Sequence, residues 1–290
     1  MALRPFARRE KDLTIALDRP SGPYHPGDTI HVTVSYEPRR DATVRELRVA
    51  LASWEVYISE DSEGHTTRRT LTDATIGEEI APVADVVGAG STLGYEAEWR
   101  IPPDIAPPYA GDSLKCGLSV RATVDVARGR DASESLVVPL VVAPPGERVV
   151  AGLYGDASHP DTADMHLWLP SLEFVEGEAI HGRLSVVAGQ SIDARSVRVG
   201  LVRRERVHAP RLKTTATQQV SSDEPAGRTR LDEQQQVEIP FTLRIPAGGC
   251  PSRKTELTTV SYTLEAALTR RFRKNYRVEA RVFLYNGRRR

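Results

Sequence analysis

The sequence predicts an all-β chain of two antiparallel β-sandwiches in tandem, and three observations predict it. The 290-residue chain repeats itself once. The repeated blocks alternate apolar and polar residues with a period of two, and no segment carries a sustained apolar stripe of helical period. Length agrees, since two domains of about 140 residues each bury self-sufficient cores.

Displaced by 150 positions, Leu17–Leu51 lies on Leu167–Leu201 without a gap, with eleven identities in 35 positions. Among them are Pro20/Pro170, Gly27/Gly177, Ile30/Ile180, His31/His181 and Arg45/Arg195. Further on, Tyr95, Ala97 and Trp99 match Ile239, Phe241 and Leu243 at an offset of 144. At an offset of 142, Leu118 to Val126 match Val260 to Leu268, and Leu136 to Val142 match Val278 to Leu284. This pattern reads as an old duplication.

Strand by strand, alternation assigns the faces. Ile30, Val32, Val34 and Tyr36 point to a core, and His31, Thr33, Ser35 and Glu37 to water. The phase slips near Ala52 and Ser53, which predicts a bulge or bend. Pro26-Gly27-Asp28, Glu176-Gly177-Glu178 and Gly248 to Pro251 supply turn residues. Half-buried strands in such number require two sheets face to face in each half, an immunoglobulin-like sandwich. The boundaries are 1–147 and 148–290, with a Pro- and Gly-rich linker over 143–164. Two polar stretches, Ser59–Thr75 and Arg203–Gln236, read as long loops after the third strand of each half, and loops of that length are functional or disordered.

Composition narrows the function. Lys plus Arg and Asp plus Glu both number 39, so no global charge recommends nucleic acid as a partner. The halves differ, with a net charge of −6 over residues 1–145 and +6 over residues 146–290. The amino terminus carries Arg4, Arg8, Arg9 and Lys11 but no apolar signal core, and no 18-residue apolar run spans a membrane. Two cysteines, Cys116 and Cys250, fall in different halves, so a cytoplasmic setting without a disulfide framework is expected. The use of 34 Arg against 5 Lys and two Asn fits a GC-rich bacterial coding sequence.

The segment Tyr24-His-Pro-Gly-Asp-Thr-Ile-His-Val-Thr-Val, then Trp99-Arg-Ile-Pro-Pro-Asp-Ile-Ala-Pro-Pro-Tyr-Ala-Gly and Leu118-Ser-Val-Arg-Ala-Thr-Val-Asp, resembles the amino-terminal domain of arrestins and arrestin-like proteins. Phe174-Val-Glu-Gly-Glu-Ala-Ile-His-Gly, Phe241-Thr-Leu-Arg-Ile-Pro and Val260-Ser-Tyr-Thr-Leu-Glu-Ala-Ala-Leu resemble their carboxy-terminal domain. The likeness spans about Asp12 to Asn286. It implies an arrestin-like fold and a non-catalytic adaptor or scaffold that docks onto other proteins, including cytoplasmic segments of membrane proteins. Pro107-Pro108-Tyr109 is not the PPxY motif of one family branch, because the tyrosine sits one place too early.

No residue pattern supports catalysis. There is no GxSxG elbow and no HExxH helix, and the seven histidines show no metal-ligand spacing, so no catalytic residue, metal or cofactor is expected. His31 and His181 recur at solvent-facing strand positions. Gly88 to Gly94 is one residue off a phosphate loop and precedes a strand, so it reads as a turn. The one marked charge feature is the hairpin tip around Arg270, Arg271, Arg273, Lys274 and Arg277, with Phe272 and Tyr276 between them. It is a candidate site for a phosphate, a phosphopeptide or an anionic membrane surface, and otherwise a solvated tip whose charges blunt edge pairing. Two functions follow: an adaptor that binds a protein, or a regulatory protein that binds anions or a membrane surface through that hairpin.

Overall fold

The computed structural model describes residues 12–20, 22–60, 63, 65–145, 151–248 and 250–288. The basic residues Arg4, Arg8, Arg9 and Lys11, the final Arg289 and Arg290, and Gly146 of the expected linker lie outside the described residues. Every regular element described is a strand, and no helix is long and apolar enough to cross a membrane.

The first half of the chain forms β1 (Leu13–Leu17), β2 (Thr29–Tyr36), β3 (Ala42–Glu60), β4 (Thr66–Val87), β5 (Leu93–Arg100), β6 (Tyr109–Ala110), β7 (Leu114–Val126) and β8 (Ala132–Val137). The second forms β9 (Gly152–Tyr154), β10 (Asp156–Ala157), β11 (Ala163–Leu169), β12 (Glu173–Val175), β13 (Ala179–Ala188), β14 (Ile192–Ala194) and β15 (Ser196–Ala209). It continues with β16 (Leu212–Ala226), β17 (Thr229–Leu231), β18 (Gln236–Arg244), β19 (Arg253–Lys254), β20 (Thr258–Thr269) and β21 (Tyr276–Tyr285).

These elements gather into two compact units. The first takes the described residues of Met1–Val56, Thr72–Ile105 and Cys116–Leu140, and the second those of Tyr57–Leu71, Ala106–Lys115 and Val141–Arg290. In the first unit a sheet ordered β1-β2-β5 and a sheet ordered β4-β3-β7, with β8 beside β7, bury alternate side chains. Ile30, Val32, Val34, Val49, Leu51, Leu118 and Val120 are all buried. In the second unit the sheets run β18-β13-β11-β9 and β10-β21-β20-β15-β16. Their shared core holds Leu167, Ile180, Leu184, Val199, Leu201, Leu264 and Val278. The fold is all-β, as the alternation required.

The duplication is visible in register. Ile30 pairs with Trp99 and Ile180 with Leu243, so offsets of 150 and 144 land on equivalent pairs. Gly27 and Gly177 both sit in the left-handed region, at φ 86° and 80°, where a Cβ is penalised. The expected phase slip appears as two consecutive buried residues, Leu51 and Ala52.

Three sequence expectations need correction. Leu13 pairs with Tyr36, but Ala163 pairs with Ala188, two residues beyond the position the 150 offset gives. Val120 pairs with Leu136, but Tyr262 pairs with Val282, four beyond the position the 142 offset gives. Both slips are even, so they keep every side chain on its face and leave no trace in a period-two pattern. Ser59–Thr75 and Arg203–Gln236 are not long loops. They are mostly the ends of β3 and β4, and of β15 to β17. Their outer strands are wetted on both sides, Thr66 to Thr70 and Thr215 to Gln219 being exposed, so the apolar alternation that reveals a strand is missing.

Candidate binding surfaces

The basic hairpin closes β20 onto β21, where Leu268 pairs with Tyr276. Its cations separate into different settings. Arg270 folds back on its own turn: Nε donates to the Lys274 carbonyl at 2.8 Å and Nη1 to the Tyr276 hydroxyl at 2.7 Å, and the guanidinium lies 3.8 Å from the Tyr276 ring centre. Arg277 sits in β21, on a surface groove shared with Arg198, Glu224 and Glu265. Burial pushes the Glu265 carboxyl up, and Glu279 directly across the ladder pushes it the same way. Arg271 lines a separate cleft of about 480 Å³ with Arg195, Arg228 and Asp193. There Arg228 donates to both oxygens of Asp193, at 3.0 and 2.6 Å. Arg273 and Lys274 are exposed. The tip residue, Phe272, is 91% exposed.

A second surface arises from the ribbon of β15 and β16. β16 takes ladder bonds from β15 and ends its sheet, so among the described residues no strand is hydrogen-bonded to its other edge, while β18 of the other sheet packs against β16. From Leu212 to Gln218 it follows β15 without a register shift; bulges come only between Leu201 and Val202 and between Val197 and Val199. Natural edges are blunted with charges, bulges or proline, yet between Leu212 and Ser222 the only charged residue is Lys213. Bulges and Pro225 blunt the far end instead.

The exposed face beside this edge is basic. Across the strands, Thr215, Arg206, Thr259 and Lys254 form one row and Thr217, Arg204 and Ser261 the next. A third row holds Gln219 or its neighbours, Val202, Thr263 and Arg281. No carboxylate stands in these rows. Glu256 lies in the turn before β20, and Glu265 and Glu279 pair one row further along, where Glu265 feels the charge of Arg204. Lys254, Ser261, Arg281 and Phe283 also line a hollow of about 220 Å³. Sequence reading missed this face because its cations come from β15, β16, β19 and β21, and only the register brings them together.

The opposite face of β15 holds charges that the sequence did not flag. Arg203 and Glu205 are 7% and 6% exposed, with Nε of the arginine 3.2 Å from Oε1 of the glutamate. Arg203 also donates to Gln218 Oε1 at 2.5 Å and to Cys250 Sγ at 3.2 Å. Tyr109, from the Pro107-Pro108-Tyr109 segment, is buried and donates its hydroxyl to Glu205 Oε1 at 2.5 Å. Burial, reinforced by Glu205, pushes the Tyr109 phenol far above its usual range. Burial also pushes the Cys250 thiol up, against the pull of Arg203. Burial opposes the charge of Arg203, but Tyr109 and Glu205 outweigh it and its pKa is raised. Glu205 Oε2 has no hydrogen-bond partner among the described residues. The buried arginine, glutamate and tyrosine hold one another, and Arg203 Nη2 also lies 3.4 Å from Oδ2 of Asp112, whose side chain is 82% exposed.

Residues 159–286 match the family model of the arrestin (or S-antigen) C-terminal domain. No curated protein matches the chain.

Proposed function

We propose that this arrestin-like chain is a non-catalytic adaptor that binds another protein by strand addition at the open edge of β16. An arrestin-type domain points to protein interaction as the general activity, and the observation that carries the finer reading is the low charge of a regular, unpaired edge. An incoming extended segment completes the ladder through main-chain hydrogen bonds, and alternate side chains then read the flanking surface. Residues 1–147 and 148–290 are taken as the two copies of the duplication. A reducing, cytoplasmic setting fits two cysteines, Cys116 and Cys250, that are not joined in a disulfide.

Single proline substitutions at Thr214, Thr215, Ala216 and Thr217, followed by affinity capture from membrane and soluble fractions and by thermal melting, test this reading. Amides alternate between facing β15 and facing outward. Partner capture is therefore expected to vanish with an unchanged melting temperature at every second position, while the intervening prolines lower the melting temperature. Capture that survives all four substitutions sinks strand addition.

A second reading draws on the hairpin tip. The near-complete exposure of Phe272 beside Arg271, Arg273 and Lys274 is the arrangement of an anion- or membrane-surface anchor, an aromatic wedge ringed by cations. Two of its five cations, Arg270 and Arg277, are engaged elsewhere, which leaves this reading second.

A further inference from the structure

The chemistry of the segment that adds to β16 follows from the face beside that edge. Arg204, Arg206, Lys213, Lys254 and Arg281 are all exposed on one side of the sheet, and no carboxylate stands in the rows they share with their ladder partners, Glu265 in the row beyond being a carboxylate that feels the charge of Arg204. In a chain of zero formal charge, a carboxylate-free stretch across four strands is a local excess of like charge, and an approaching anion relieves it. The far part of the same sheet face differs: there Arg198 is paired with Glu224 at 3.1 Å, and Glu265 and Glu279 lie between the arginines.

We infer that the β16 edge and this basic face take an extended acidic segment of a partner protein, one in which every second residue is Asp or Glu. The inference rests on the strand-addition reading. A strand added beyond β16 turns alternate side chains onto the basic face. Its acidic residues then stand next to Lys213, Thr215 and Thr217. Arg204 and Arg206 are two strand spacings away, about 10 Å between backbones, a gap that an arginine and a glutamate leaning toward each other close. The hydroxyls of Thr215 and Thr217 donate to the same carboxylates. A lipid surface matches this site less well, because it has no backbone to complete the ladder, and Phe272 at the hairpin tip is 91% exposed against 37% for Phe283 beside this face.

The test uses the full chain and a fluorescent peptide of about ten residues alternating Glu with Val, read by anisotropy at low salt, where surface charge is least screened. The controls are the same composition in two blocks, the alternating Lys and Val counterpart, and vesicles of phosphatidylcholine with phosphatidylserine. The alternating acidic peptide is expected to bind better than the block peptide. Arg204→Glu/Arg206→Glu is expected to weaken it about tenfold or more and to raise affinity for the Lys counterpart, since reversed rim charges act through complementarity. The milder Arg204→Gln/Arg206→Gln falls between and guards against misfolding of the reversal variant.

Failure of the wild-type chain to bind the acidic peptide, equal binding of the Lys counterpart, or vesicles that bind while the peptide does not, each overturns the inference. If the prolines at outward amides abolish peptide binding but charge reversal leaves it unchanged, strand addition stands and the acidic partner falls. If charge reversal abolishes binding and the prolines do not, the basic face stands and strand addition falls.

Discussion

Arg203 and Arg204 are neighbours in the chain and occupy opposite environments. Arg203 faces inward, 7% exposed, held by Glu205, Gln218 and the Cys250 sulfur. Arg204 faces water, in a row with Thr217 and Ser261. The same contrast separates Glu205 from Arg206. The alternation of a single strand thus decides whether a charge carries the fold or is offered to a partner. Inside, each charge has lost its hydration and is held by its partners, so removing one partner exposes the full desolvation cost of the other. Outside, the charges are hydrated and nearly additive, and their energy appears only when something of opposite sign arrives.

The largest effect expected from breaking this contrast is at Glu205. Glu205→Ala leaves the Arg203 guanidinium buried with the exposed Asp112 carboxylate, 3.4 Å away, as its remaining counter-charge and takes the acceptor from the Tyr109 hydroxyl, so a loss of about 3 kcal/mol is expected. Denaturant titration with an unchanged m-value measures it. Arg203→Met/Glu205→Leu removes both charges and fills the space with apolar atoms, and it is expected to be more stable than Glu205→Ala. A double variant as unstable as the single one would mean that the cluster is held by its shape and not by the balance of its charges.

Why this inner cluster was invisible in the sequence, when the sandwiches were not, is a matter of period. Ile30, Val32 and Val34 announce a core because apolar side chains recur every second residue, and Gly27 and Gly177 mark equivalent turns because only glycine tolerates the φ they share. Arg203 and Glu205 occupy core positions of β15 with polar side chains, which breaks the alternation and made the segment read as a loop. Tyr109, from a short proline-rich stretch, gave no sign that it would bond to Glu205, because no local pattern encodes a contact across 96 residues. The basic face failed to register for a related reason: Arg204, Lys254 and Arg281 are unremarkable singly, and a pattern of period two fixes faces but not registers. The hairpin cations from Arg270 to Arg277, contiguous in sequence, were legible as a group, yet Arg270 is spent on its own turn and Arg277 belongs to a different groove.

A smaller effect sharpens the contrast through pH. The folded chain holds the Tyr109 phenol well above its ordinary range, first by burial and then through Glu205. The unfolded chain ionises tyrosine near pH 10, at about its model-peptide value. A pKa raised on folding gives stability that is complete below the unfolded value and falls as pH rises past it, by about 1.4 kcal/mol per pH unit for one such group. Stability is therefore expected to decline from pH 10 upward. Tyr24, pushed up to about 12 by burial and by the hydrogen bond to Asp18, adds to the decline between pH 10 and 12. Tyr109→Phe is expected to cost about 1–2 kcal/mol at neutral pH, where Glu205 loses a donor, and to flatten the alkaline decline. An unchanged alkaline slope in that variant would place the loss of stability elsewhere.

The smallest expected effect tests the outer face. Arg204→Gln/Arg206→Gln alters two hydrated side chains whose neighbours across the ladder are threonines and a serine, and solvent screens what remains of their interactions. The melting temperature is expected to correspond to a change within about 0.5 kcal/mol of the unmodified chain. A small upward shift is expected, because two like charges two residues apart on one strand face repel in the free protein. Protein stability and partner affinity then separate along one strand: the inward pair changes the first and the outward pair the second. A clear destabilisation by Arg204→Gln/Arg206→Gln would show that these arginines already have partners within the chain, and the basic face would lose the excess of charge on which an acidic segment depends.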